Sequence, residues 1–192
     1  AYNTTFLYND ARRDGGAIMN RTTGYGVADG RAVHCTVAGN TADEDQQGGG
    51  RGGGVHNAEG ADFRIHMSIF AENKSFDVGS WLPEDLYGHF ESRGYNLIET
   101  GWGYVLHGEL TGNIRGVPAE LGPQLYDGSS THRTLKPESP AIDAGATDYL
   151  YELTYTDQRG ASRHVGDLPD IGAVEFGSAG EEPAFEDCEV EN

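Results

Sequence analysis

The chain has 192 residues, enough for one domain with a continuous core, and a net charge of -18 from 31 acidic and 13 basic residues. Such a surface repels phosphate backbones, so nucleic acid is not an expected partner, and no stretch approaches the ~18 apolar residues of a membrane span. The 29 glycines follow no collagen period and stand between short apolar segments, as turns between many strands do.

From the start of the chain a short unit recurs. It reads Asn3-Thr4-Thr5-Phe6-Leu7-Tyr8-Asn9, then His34-Cys35-Thr36-Val37-Ala38-Gly39-Asn40, then Met67-Ser68-Ile69-Phe70-Ala71-Glu72-Asn73. The closing Asn moves from 9 to 40 to 73, by 31 and then 33 residues. Two-residue alternation puts Thr4 and Phe6, Cys35 and Val37, and Ser68 and Phe70 on one face of a strand. A strand unit repeating every thirty-odd residues predicts coils stacked on one another, with Phe6, Val37 and Phe70 as one inward column.

Glycine-led segments, Gly15-Gly16 through Asn20 and Gly52-Gly53-Gly54 through Asn57, precede the second and third units. Each coil therefore reads as a glycine corner, a short strand, a second corner and the Asn-closed strand. Asn9, Asn40 and Asn73 are expected to form one structural ladder, and Asn20 and Asn57 another. Coils ~4.8 Å apart bring stacked amides within bonding reach, and Asn tolerates left-handed corners.

Asp43 to Gly54 reads as an exposed loop. Its Asp43-Glu44-Asp45 run could catch a cation, calcium being the weak candidate, but the spaced ligands and fixed turn of a calcium loop are missing, and a solvated acidic corner is the expected reading. No metal site or cofactor is expected. From Lys74 to Glu91 the repeat lapses into an aromatic insertion around Trp81, Tyr87 and Phe90, read as lateral packing, with a sugar platform as the alternative. Cys35 falls on the inward face and is expected to be a free, buried thiol; a disulfide to Cys188 in the acidic tail is the alternative.

A specialised closing block begins at about residue 121. It contains L-G-P at Leu121 to Pro123, T-H at Thr131-His132, L-K-P-E-S-P-A-I-D-A-G at Leu135 to Gly145, D-Q-R-G at Asp157 to Gly160, and D-I-G-A-V-E-F at Asp170 to Phe176. Gly177 to Asn192 reads as an acidic tail. This ordered block, with the G-G-G-V-H-N and N-closed coil units, resembles the closing region of bacterial right-handed parallel β-helix surface proteins. Those belong to the pectate-lyase-like superfamily and are often grouped by a downstream choice-of-anchor segment. The resemblance covers nearly all of residues 1–176. It implies an all-β, right-handed, single-stranded parallel β-helix at an extracellular or cell-surface location. Two departures are that no anchor segment follows Phe176 and that the family's N-terminal coils and cap are missing.

Enzymes on such a fold cleave acidic polysaccharides, and hydrolysis needs two or three carboxylates across the scissile bond. Here carboxylates do not recur on one face of neighbouring coils. Asp143, Asp157, Asp170 and Glu175 alternate with Arg159 and Arg163, and are expected to pair and cap the C-terminal end, so no catalytic residue is assigned. The seven histidines show no zinc spacing, Gly128-Ser129-Ser130 is no nucleophile elbow, and no phosphate loop is present. The function expected is a non-catalytic surface module, adhesive, structural or self-assembling. The alternative is a secreted lyase or hydrolase acting on an acidic glycan. Because Tyr2 to Asn9 is already a coil strand, the Ala1 end is expected to be open and to drive self-association, possible fibre formation included. A trimmed fragment of a longer surface protein is the other reading.

Overall fold

The computed structural model describes residues 1–24, 26–147 and 155–178. Among them are seventeen strands and no helix long and apolar enough to cross a membrane. The first turn of the chain supplies β1 (Thr5–Leu7), β2 (Asp10–Ala11), β3 (Ile18–Asn20) and β4 (Asp29–Val33). The second supplies β5 (Thr36–Ala38), β6 (Thr41–Ala42), β7 (Val55–Asn57) and β8 (Asp62–His66). Each strand of the second turn lies parallel to its counterpart in the first.

The third turn opens with β9 (Ile69–Ala71) and β10 (Lys74–Asp77), turns back into β11 (Ser80–Pro83), and ends in the long β12 (Leu86–Arg93). β12 pairs in parallel with both β7 and β8. Then β13 (Leu97–Ile98) and β15 (Ile114–Arg115) extend the sheet begun by β1, while β14 (Tyr104–Glu109) adds to β12. β16 (Leu121–Tyr126) and β17 (Thr131–Leu135) close the series as an antiparallel pair. The fold is thus all-β and built on parallel sheets, as the repeat implied.

The register places Phe6 opposite Val37, Val37 opposite Phe70 and Phe70 opposite Ile98. Val37, Phe70 and Ile98 are fully buried in one core with Cys35, Val55, Phe63, Ile65, Leu86 and Phe90; Phe6 packs against it from the end and is half-buried. The glycine corners have a steric cause. Gly15 and Gly52 hold φ of 67° and 68°, and a Cβ on Gly16 would stand 2.1 Å from the carbonyl oxygen of Gly53. Only a residue without a side chain lets successive corners stack this closely.

Three expectations are corrected. The sheet β1-β5-β9-β13-β15 is buried on both faces: a second core of Ala38, Ile69, Ala71 and Leu97 packs against Leu121, Leu135, Ala141 and Ile171. The closing block therefore lies along the side of this sheet and does not cap the C-terminal end, because the alternating residues of β5 and β9 are apolar on both faces and need a second cover. The insertion is narrower than Lys74 to Glu91. Only β10–β11 departs from the repeat, with Trp81 edge-on to Phe76 at 5.2 Å; Leu86 and Phe90 are core residues of β12. Asp43 is buried, not exposed: it accepts from the Gly48 backbone N–H at 2.7 Å and so ties the loop down. Cys35 is fully buried and its thiol donates to the Val33 carbonyl at 3.4 Å, while Cys188 lies outside the described residues, as do residues 179–192 of the tail.

Candidate functional site

Three arrangements of polar side chains stand out, and the first is the asparagine column. The Asn9 backbone N–H and side-chain amide both donate to Asn40 Oδ1, at 2.9 and 2.8 Å. Asn40 repeats the pattern to Asn73 Oδ1, at 2.9 and 2.8 Å. Each also ties back to the preceding strand, Asn40 to the Phe6 carbonyl and Asn73 to that of Val37. The left-handed residue at this corner is not the Asn but the residue before it: Tyr8, Gly39 and Glu72 have φ of 53°, 69° and 59°. The side-chain bonds, not tolerance of positive φ, explain Asn at these positions. A parallel pair, Asn20 to Asn57 Oδ1 at 2.7 Å, joins β3 to β7.

The column ends on a carboxylate. Asn73 donates its backbone N–H and its amide to Asp85 Oδ1, at 3.1 and 2.8 Å, and the Thr100 backbone N–H donates to Oδ2 at 2.7 Å. Asp85 is fully buried, and burial pushes its pKa up to about 6 although these bonds favour the charged form. Beside it Glu84, also fully buried, accepts from the Gly52 backbone N–H at 2.6 Å. The strand register shows what changed at this corner. Leu86 stands where Val55 stood one turn earlier, so Glu84-Asp85 replaces Gly53-Gly54 at the corner.

The second arrangement is the closing block. Asp157, Arg163, Asp170 and Glu175 are buried, Arg159 is half-buried and Asp143 is exposed. Arg159 grips Asp157 Oδ2 through Nε and Nη2 at 2.9 and 2.8 Å, and Arg163 Nη1 stands 3.6 Å from Glu175 Oε2. Most remaining carboxylate oxygens accept from main-chain N–H groups: Asp157 from Arg159, Ala161 and Glu175, Asp170 from Asp143 and Phe176, Glu175 from Asp170, and Asp143 from Asp167 and Leu168. Burial raises Asp170 to about 6 and Glu175 to about 8, the latter also by the charge of Asp170, and burial lowers Arg163. The block also reaches the first turn. Arg163 Nη2 donates to Asn3 Oδ1 at 3.0 Å, and Thr5 Oγ1 bonds to Gln158. Asp157, Asp170 and Glu175, buried and bonded to backbone amides, hold the loops of the block in place, while Asp143 does the same from the surface.

The third is an open groove of about 600 Å³ where β10–β11 meets the segment after β13. Trp81 and Trp102 line it with Glu72, Lys74, Glu99 and Thr100. These are the two tryptophans of the chain. They are 39 % and 43 % exposed, although a side chain this large is highly buried on average. Lys74 Nζ sits 4.6 Å from the centre of the Trp81 ring. Glu72 is ion-paired with Arg133. Glu99 accepts from the Ala119 N–H at 3.3 Å, and its pKa is raised by burial and by the charges of Glu72 and Glu120. Reading by repeat period missed this groove, since its residues come from a hairpin and a loop outside the period. Among the described residues no group of three or more His, Cys, Asp or Glu side chains could hold a metal ion.

No protein-family model matches the chain, and no curated protein or solved structure is significantly similar to it.

Proposed function

We propose that this chain is a right-handed, single-stranded parallel β-helix of the choice-of-anchor kind, acting as a non-catalytic extracellular or cell-surface module that self-associates through its first coil. One observation carries the self-association: β1, β2 and β3 are edge strands, each with a strand partner on one side only among the described residues, while the Ala1–Asn3 segment covers the Arg31–Val33 end of β4. They expose Tyr2, Tyr8 and Met19 nearby, and the free side of β1 forms one wall of a groove of about 420 Å³ that Gln124 and Thr131 complete. Unpaired strand edges recruit another strand, and one coil end meeting a different surface of the next copy is a heterologous contact that propagates into fibres. The non-catalytic part is supported by the burial of Asp157, Asp170 and Glu175, which takes three of the four closing-block carboxylates singled out by sequence away from a glycan.

Backbone direction provides a test. The Tyr8 N–H donates to the Ala38 carbonyl, so in a parallel pair the N–H groups of Leu7 and Thr5 point to the free edge. Thr5→Pro removes one outward donor and keeps the bonds to β5. The wild-type chain is expected to show assemblies by light scattering and negative-stain microscopy, and Thr5→Pro to remain monomeric with a native circular dichroism spectrum. A monodisperse wild-type monomer would sink the assembly reading. Turnover in a reducing-sugar and absorbance screen on uronate and neutral glycans would sink the non-catalytic one.

A further inference from the structure

The groove between β10–β11 and the segment after β13 is not accounted for by assembly, since it belongs to the third and fourth turns of the chain and the open edges belong to the first. Both tryptophans line it and both are partly exposed, although Trp is highly buried on average. Its volume of about 600 Å³ lies within the range of small-molecule sites. Trp81 packs edge-on to Phe76, and Lys74 Nζ stands over one face of its ring. Two carboxylates, Glu72 and Glu99, and one ammonium, Lys74, line the same groove, with Glu99 half-buried.

We propose that this groove binds an uncharged oligosaccharide, its pyranose rings stacking on Trp81 and Trp102 and its hydroxyls bonding to Glu99, Glu72 and Lys74. An aromatic face suits the C–H face of a sugar ring, and a hydroxyl both donates to a carboxylate and accepts from an ammonium. The charge pattern selects the sugar class. A uronate chain would bring its carboxylates against Glu72, Glu99 and the nearby Glu120 on a protein of net charge -18, at a cost a neutral chain does not meet. A proline-rich peptide is the other ligand that aromatic grooves take. It offers chiefly carbonyl acceptors, which suit donors and not the carboxylates found here. The neutral glycan is the better fit on both counts.

Because both tryptophans line the groove, emission excited selectively at tryptophan, above the absorption of the ten tyrosines, reports on it. The full chain is titrated with gluco-, manno-, xylo- and N-acetylglucosamine pentasaccharides, with oligogalacturonate, and with a proline decapeptide. A saturable emission shift is expected with at least one neutral sugar. Trp102→Ala should weaken that binding at least tenfold by calorimetry, and Trp81→Phe, which keeps a ring, should weaken it less than Trp81→Ala. A native circular dichroism spectrum for each variant separates lost stacking from lost folding. The proposal is overturned by no saturation with any neutral sugar at millimolar concentration, by tighter binding of oligogalacturonate or the decapeptide, or by an unchanged Kd in Trp102→Ala.

Discussion

Glu175 shows how a single buried group sets the response of the whole chain to pH. Its side chain is fully buried beside Arg163, and burial with the neighbouring Asp170 charge raises it from 4.5 to about 8. A raised acid binds its proton more tightly in the folded state, so its contribution is complete below the ordinary carboxyl pKa and is lost as pH climbs toward 8. At lower pH opposing groups overlap. Asp85 and Asp170, raised to about 6, lose stability with rising pH, while His34 and His66, lowered from 6.5 by burial, gain it. Above about pH 6.5, the ordinary histidine pKa, the opposing gain from the two histidines fades, and the Glu175 slope emerges. Stability is expected to fall between pH 6.5 and 8.5 by on the order of 1 kcal/mol per pH unit. Glu175→Gln, which keeps an oxygen for the Asp170 N–H, should flatten that slope in urea melts at half-unit steps. An identical slope in both proteins would show that Glu175 does not titrate there.

Among the elements, the corners are the least tolerant. A Cβ on Gly53 would lie 2.3 Å from the Lys74 carbonyl oxygen and 2.4 Å from its nitrogen, both backbone atoms of the next turn. The clash is with main chain and cannot be relieved by a rotamer, so the stacked corners must separate. Gly53→Ala is expected to lower stability by about 3 kcal/mol or more, as overpacking against fixed backbone does. Gly26→Ala is the control, since nothing lies within 4 Å of its Cβ position and its φ is not positive. It should be neutral or stabilising by up to about 1 kcal/mol. Thermal melts of the pair check this, and equal losses would mean that the corners do not stack as described. At the next corner the chain accepts Glu84-Asp85 because their carboxylates take up the Gly52, Asn73 and Thr100 amides.

For the whole molecule, the decisive contact joins the two ends of the chain. Ile171 is fully buried against the outer face of the sheet that contains Ile69 and Leu97, and the Ala173 N–H donates to Thr36 Oγ1 at 3.0 Å. The closing block and the early turns should therefore unfold as one unit. Ile171→Ala is expected to cost about 2–5 kcal/mol, through lost burial and the cavity left behind. Hydrogen exchange should show the amides of Thr36–Ala38 and Ile69–Ala71 losing protection together with those of the closing block. Unchanged protection in β5 and β9 beside a fully exchanging closing block would mean two independent units.

The sequence by itself determined the parallel stacking of strands. Small residues, large residues and closing asparagines recur at 31 and 33 residues, with glycine corners between them, and that period needs only local pattern to be read. The spacing of Asn9, Asn40 and Asn73 was legible for the same reason, whereas the carboxylate that ends their column was not, because Asp85 follows Asn73 by only 12 residues across the hairpin. The tertiary structure alone decided where the closing block lies. Nothing local distinguishes a cap on a coil end from a cover on a sheet face; the choice rests on apolar residues on both sides of β5 and β9, and on partners as far apart as Asn3 and Arg163. The same holds for the Trp81–Trp102 groove. Its walls are a hairpin and a loop brought together only once the parallel turns have set their positions, and no periodicity in the chain records that meeting.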